Sequence, residues 1–337
     1  MTVPPVIATP GSLSTLPLPD VQTTAPSDAA AASPPPAPPS PQALAVASAV
    51  QSAAARQGGL DQLIADLTVA LESPELPQPI QAAAAQLLAL QTPAEPPPGA
   101  ADLQQAMIQS GLLMEASLAA GQASPDIKAA LLMLARALKT WIAAAPRDDN
   151  PPPAKPSAPP PPYRGAQTAA QPPPAPSLPA GAGAGALVRA LLQQTSGAIA
   201  RQELLQAASL PGDAEGQGWM FETPILTPQG TAVAQFRISR DKPKVGAGRE
   251  APEVWRAGFS IALEPLGPVH AQLVLTGARA GVTLWAEREA TALELRQGQP
   301  RLAAALGGAG LQADVSVQAG SPRRPAPAPG RLVDQAT

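Results

Sequence analysis

Proline limits this chain more than any other residue. There are 46 prolines in 337 residues, and many of them fall in blocks that no helix or central strand could accommodate. Seven lie in the sixteen positions of Pro26–Pro41, and fourteen lie in residues 146–180. Folded structure must be built between these blocks. Aromatic residues make the same division, because three of the four Trp and all three Phe follow residue 218. Large aromatics supply much of the buried area of ordinary cores, so the densest core is expected there.

Six segments follow from this punctuation. Residues 1–42 have too few large side chains to offset the entropy of ordering and are expected to be a disordered leader. Residues 43–145 carry apolar side chains at helical spacing. The sets are Leu60, Leu63, Ile64, Leu67 and Leu71; Ile80, Ala84, Leu87 and Leu88; Leu103, Met107, Leu112 and Met114; and Ile127, Leu131, Leu134, Leu138 and Ile142. Ser124-Pro125-Asp126 opens the last of these helices. The stripes are narrow and surrounded by Ala, which predicts a small, weak bundle of four or five helices. Runs such as Pro151–Pro153, Pro159–Pro162 and Pro172–Pro174 favour polyproline II, so 146–185 is expected to be a semi-rigid spacer ending in a glycine joint. A helix and connector occupy 186–215.

From 216 the period changes to two. Trp219, Phe221 and Ile225 alternate, as do Ala232, Ala234, Phe236 and Ile238, then Phe259, Ile261 and Leu263, then Val269, Ala271, Leu273 and Leu275, then Val282, Leu284 and Ala286. A helical stretch through Ala292, Leu293, Leu295, Leu302 and Leu306 precedes a strand at Val315 and Val317, and Pro300 should break or restart that helix. The order β-β-β-β-β-α-β predicts an α+β domain over 216–320 with a mostly antiparallel sheet. Residues 321–337 are expected to be a disordered tail.

Several chemistries are poorly supported. No Cys is present, which removes disulfides and thiolate metal sites. His270 is the sole histidine, and one His without Cys is too little for a metal site. It lies one residue out of step with Val269 and Ala271, which predicts that it faces away from the core. A catalytic reading could enlist Ser260 and Glu264, but no glycine-flanked nucleophile elbow is present. Gly181-Ala-Gly183-Ala-Gly185 follows a proline run instead of a strand, unlike a dinucleotide loop. The expectation is a chain that is not an enzyme and binds no cofactor. Residues 43–145 hold four Lys/Arg against eight Asp/Glu, and 216–337 hold thirteen against ten. Neither balance resembles a nucleic-acid footprint. Met1–Pro10 lacks Lys and Arg, and no apolar run approaches the ~20 residues of a membrane span. No cleaved signal peptide and no membrane insertion are expected. Arg237, Arg240, Lys242, Lys244 and Arg249 crowd one loop region as a candidate contact for an acidic partner. Pro160-Pro161-Pro162-Tyr163 matches a short peptide read by WW domains.

The segment from Trp255 reads WRAGFSIALEPLGPVHAQLVL, then GARAGVTLWAERE, then a helix and GAGLQADVSVQAG. This resembles the C-terminal domain of flagellar hook-length control proteins over about residues 255–319. Leu263, Pro265, Leu266, Gly267 and Val269 match the family's strand-connecting turn, and Gly310-Leu311 with Val315 and Val317 match its last strand. The family form has two further residues between its Pro and Leu-Gly, so this turn is tighter. The resemblance implies a monomeric molecular ruler, made in the cytoplasm and exported through the flagellar channel. Its C-terminal domain would switch the type III export gate from hook to filament substrates. The implied partners are the cytoplasmic domain of an export-gate protein, the hook protein and the hook cap. The competing expectation is a non-secreted proline-rich scaffold with a β-rich docking domain.

Overall fold

A computed structural model describes residues 40–122, 124–144, 158–178, 181–210, 217–241 and 252–323. The expected leader, the first part of the spacer and most of the tail lie outside these residues. Apart from the first two, the described residues fall within one unit, 42–337.

Six helices come first: α1 (Pro41–Arg56), α2 (Leu60–Leu71), α3 (Gln78–Leu88), α4 (Ala100–Gln109), α5 (Met114–Ala119) and α6 (Ile127–Ala144). The apolar stripes read from the sequence form their contact surfaces. Leu63, Leu67, Leu87, Leu131, Leu134 and Leu138 are fully buried in one cluster. The long helix α7 (Ala184–Ala208) adds Val188, Leu191 and Ala198 to that cluster. At one point of α7 two backbones approach closely. A Cβ placed on Gly197 of α7 would lie 2.9 Å from the nitrogen of Gly58 and 3.1 Å from its Cα.

Among the described residues the sheet has seven strands in the order β1-β2-β3-β4-β5-β6-β7. They are β1 (Thr92–Pro93), β2 (Gln217–Thr227), β3 (Gly230–Arg240), β4 (Val254–Leu263), β5 (Gly267–Thr276), β6 (Arg279–Ala286) and β7 (Gln312–Ala319). Strands β2 to β6 form an antiparallel meander. After β6 the chain crosses through α8 (Glu289–Gly308) and returns as β7, parallel to β6. This is the expected strand order. The two-residue β1, parallel to β2 at Ile225–Leu226, is an addition that no alternation could have revealed.

Pro300 neither breaks nor restarts α8, which runs through it. Proline removes one i→i−4 bond, here to the carbonyl of Arg296, and both residues are exposed. The freed carbonyl can therefore turn to solvent, the ordinary way a surface helix tolerates proline.

Pairing register places Phe221, Phe236, Phe259, Ala271, Leu284 and Val317 in one row across the sheet. On this apolar face Phe221 stacks on Phe236 at 5.1 Å, and Trp219 on Trp255 at 6.3 Å. Ala280, Val282, Ala286 and Val315 are buried on the same face, where α8 packs. The opposite face carries Glu222, Gln235, Ser260 and His270 in adjoining register. This polar face is buried as well, because α2, α7 and residues 158–178 lie against it. Val233 on this face belongs to the helical core cluster, so helices and sheet share one interior.

Candidate interaction surfaces

The turn that joins β4 to β5 is built from Leu263 to Gly267. Gly267 has φ +75°, a region that L side chains rarely adopt, and an added Cβ would lie 2.7 Å from Arg288 Nε. Arg288, at the N-cap of α8, grips the turn. Its guanidinium donates to both Glu264 oxygens at 3.0 and 2.8 Å and to the carbonyl of Pro265. The Thr291 hydroxyl donates to the Leu266 carbonyl at 2.7 Å, and the Glu287 amide donates to the Pro268 carbonyl at 3.1 Å. The turn and the start of α8 therefore form one rigid corner. Leu266 and Val269 are half-buried within it, while Glu264 and Pro265 face outward.

The basic residues do not form one patch. Arg237 and Arg240 differ by an odd number of positions and point to opposite faces of β3. Arg237 donates to the carbonyls of Gly165 and Ala166 at 3.2 and 3.4 Å. Arg240 pairs with Glu253 and lies 5.6 Å over the Trp255 ring. Lys242, Lys244 and Arg249 lie outside the described residues.

Buried polar groups gather on the polar face. Arg201 of α7 is 2% exposed and Glu222 of β2 is 0% exposed, and they pair at 2.6 Å. Arg201 also donates to Gln57 Oε1 at 2.6 Å and to the Pro160 carbonyl at 3.2 Å. Glu222 accepts from Gln171 at 2.6 Å and from Gln235 at 3.1 Å. This web is what allows two charges to be buried. A cavity of about 410 Å³ adjoins it, lined by Asp61, Tyr163, Gln171, Arg201 and Gln235 among others. Burial there pushes the Asp61 carboxyl above its ordinary value. The web was missed in the sequence, although a lone Glu inside the apolar run from Trp219 to Ile225 was an available signal.

A second chain of contacts crosses the same face. Thr168 Oγ1 lies 2.7 Å from Ser260 Oγ, Ser260 Oγ lies 2.7 Å from His270 Nδ1, and His270 Nε2 lies 3.2 Å from Glu287. His270 does stand on the face opposite Val269 and Ala271, but it is only 5% exposed. The expectation that it faces away from the core is corrected. Alternation reported its side of the sheet and could not report that this side is covered. Ser260 has no exposure, and Thr168 caps its hydroxyl, so the geometry ties strand to strand and leaves substrate no approach to this serine. Among the described residues no three His, Asp or Glu side chains converge as a metal site. No described helix is long and apolar enough to cross a membrane.

An antiparallel-rich sheet closed by one crossover helix, with helices ahead of it, defines the C-terminal part as an α+β domain. Residues 244–326, from the approach to β4 through β7, match the family model described as Flagellar hook-length control protein FliK. The chain therefore carries a domain of the flagellar hook-length control family, and the β2–β3 hairpin lies ahead of the matched residues. No curated protein and no solved structure matches the chain.

Proposed function

We propose that the chain is an exported ruler that sets hook length and whose C-terminal domain switches the flagellar export gate from hook to filament substrates. The observation that carries this reading is the family match over 244–326, falling on a sheet whose connecting turn is locked to α8. The domain works by docking and not by catalysis. Its partners are the cytoplasmic part of an export-gate protein, with hook protein and hook cap engaged by the preceding chain. Absence of disulfides suits a chain that must thread a narrow channel. Electron microscopy of hook–basal bodies from a strain lacking the chain tests the reading. Over-long hooks without filaments are expected. Hooks of normal length bearing filaments would overturn it.

A further inference from the structure

Residues 158–178 were expected to be a spacer, yet they lie as a strap across the polar face of the sheet. Eight of these twenty-one residues are Pro, so the strap has few amides with which to bond itself. Other elements hold it. On the sheet side, Gln235 accepts from the Ala169 amide at 2.9 Å, Thr168 meets Ser260, and Gln171 forms an isolated bridge with Val233. On the helical side, α7 supplies two anchors, Arg201 to the Pro160 carbonyl at 3.2 Å and Gln194 to the Ser177 hydroxyl at 3.3 Å, and the rest come from the end of α1 or from α2. Gln57 donates to the Pro159 carbonyl, and Gln62 donates to Ala175 at 3.2 Å. Asp66 is 0% exposed and accepts from the amide and hydroxyl of Ser177 and from the Leu178 amide.

We propose that the strap is a latch: α1 and α2 hold it shut over the polar face of the sheet, and withdrawing those helices opens that face. The order of release follows from connectivity. A chain drawn from its N-terminus gives up α1 and α2 before any part of the strap or sheet. Their loss removes Gln57, Gln62 and Asp66 together. The strap then keeps its sheet-side contacts and the two from α7, and Arg201 loses one of its buried acceptors. Bereft of its α1 and α2 anchors, a strap so poor in its own hydrogen bonds opens more readily over Ser260. The use of this device in timing rests on the exported-ruler reading, but its geometry does not.

The test uses the purified full chain, which has no Cys of its own. Ser260→Cys places a unique thiol beneath the strap, and its rate of labelling by a soluble maleimide reports opening. Adding Asp66→Ala, in α2 and remote in sequence from position 260, should speed labelling at least tenfold. Amide exchange should rise at Ala169 as well as at Ser177 and Leu178. An unchanged labelling rate, or faster exchange confined to 177–178, would overturn the latch. If circular dichroism shows that Asp66→Ala has lost helix, Ser177→Ala takes its place, with a rise of about threefold expected and no rise counting against the proposal. No step involves secretion, so failure here leaves the ruler reading standing, and normal hooks in the null strain would leave the latch standing.

Discussion

At the scale of single residues, the sharpest consequences come from groups buried on the polar face. Removing one partner of a buried ion pair leaves an uncompensated charge, at about 3–5 kcal/mol. Arg201→Met is therefore expected to lower stability in urea by that amount, whereas Arg201→Met with Glu222→Met should recover most of it. Gly197 inverts an ordinary rule. Ala for Gly inside a helix usually gains about 1 kcal/mol. Here the new Cβ would meet the backbone of Gly58 at 2.9 Å, and backbone cannot turn aside. Overpacking of this kind costs about 1–3 kcal/mol, so Gly197→Ala should lower Tm. Asp61 gives a pH signature. Burial raises its pKa from 3.8, so the folded chain holds that proton more tightly than the unfolded chain. Its contribution favours folding below the unfolded value and is lost as pH rises through the higher folded value. Asp61→Asn should raise Tm at pH 7 and have less effect near pH 3, as thermal melts at the two pH values would show.

At the scale of elements, the sequence was legible wherever one side of an element differed from the other. Strands β2 to β6 could be read because one face holds Phe, Trp and Val while the other holds Glu222, Gln235, Ser260 and His270. Helices α2 and α6 could be read because Leu recurs at three and four. The strap could not be read, since proline runs look like spacer, and the side chains that hold it lie far away in sequence, as Gln57 does from Pro159. The same limit hid the cover over His270 and the grip of Arg288 on the turn. That grip makes the turn a sensitive element. Gly267→Val would force a β-branched side chain into φ +75° and against the Arg288 stem, at a cost of about 1–3 kcal/mol for the backbone alone. Thermal melts of the full chain should show this loss, while Glu264→Ala, an exposed partner of the same arginine, should cost no more than about 1 kcal/mol. If the corner serves the switch, Gly267→Val cells should carry over-long hooks although the protein still reaches the medium. Normal hooks with filaments from such a strain would separate this turn from switching.

On the exported-ruler proposal, the question for the whole molecule is how a chain with a buried, hydrogen-bonded interior could also measure a length. The two demands apply at different times. Folded, the helices, strap and sheet share hydrophobic and polar contacts across one unit. Drawn out, the ~215 residues ahead of β2 would reach roughly 700 Å at about 3.3 Å each. Native domains hold together by only about 5–15 kcal/mol, so a pulling export apparatus can undo the first state to reach the second. Length should then depend on residue number and not on fold. Inserting forty Gly/Ser-rich residues between α6 and the strap, after Ala144, adds reach without adding core. Hooks in that strain should lengthen by at most about 130 Å, from ~3.3 Å for each inserted residue, and should still acquire filaments. Gly/Ser-rich chain has no packing of its own to contribute, so any change in hook length reports contour length alone. Length distributions of purified hooks, measured beside the parent strain, decide the matter. Hooks of parental length from an insert-bearing chain that is found in the medium would remove the measuring role.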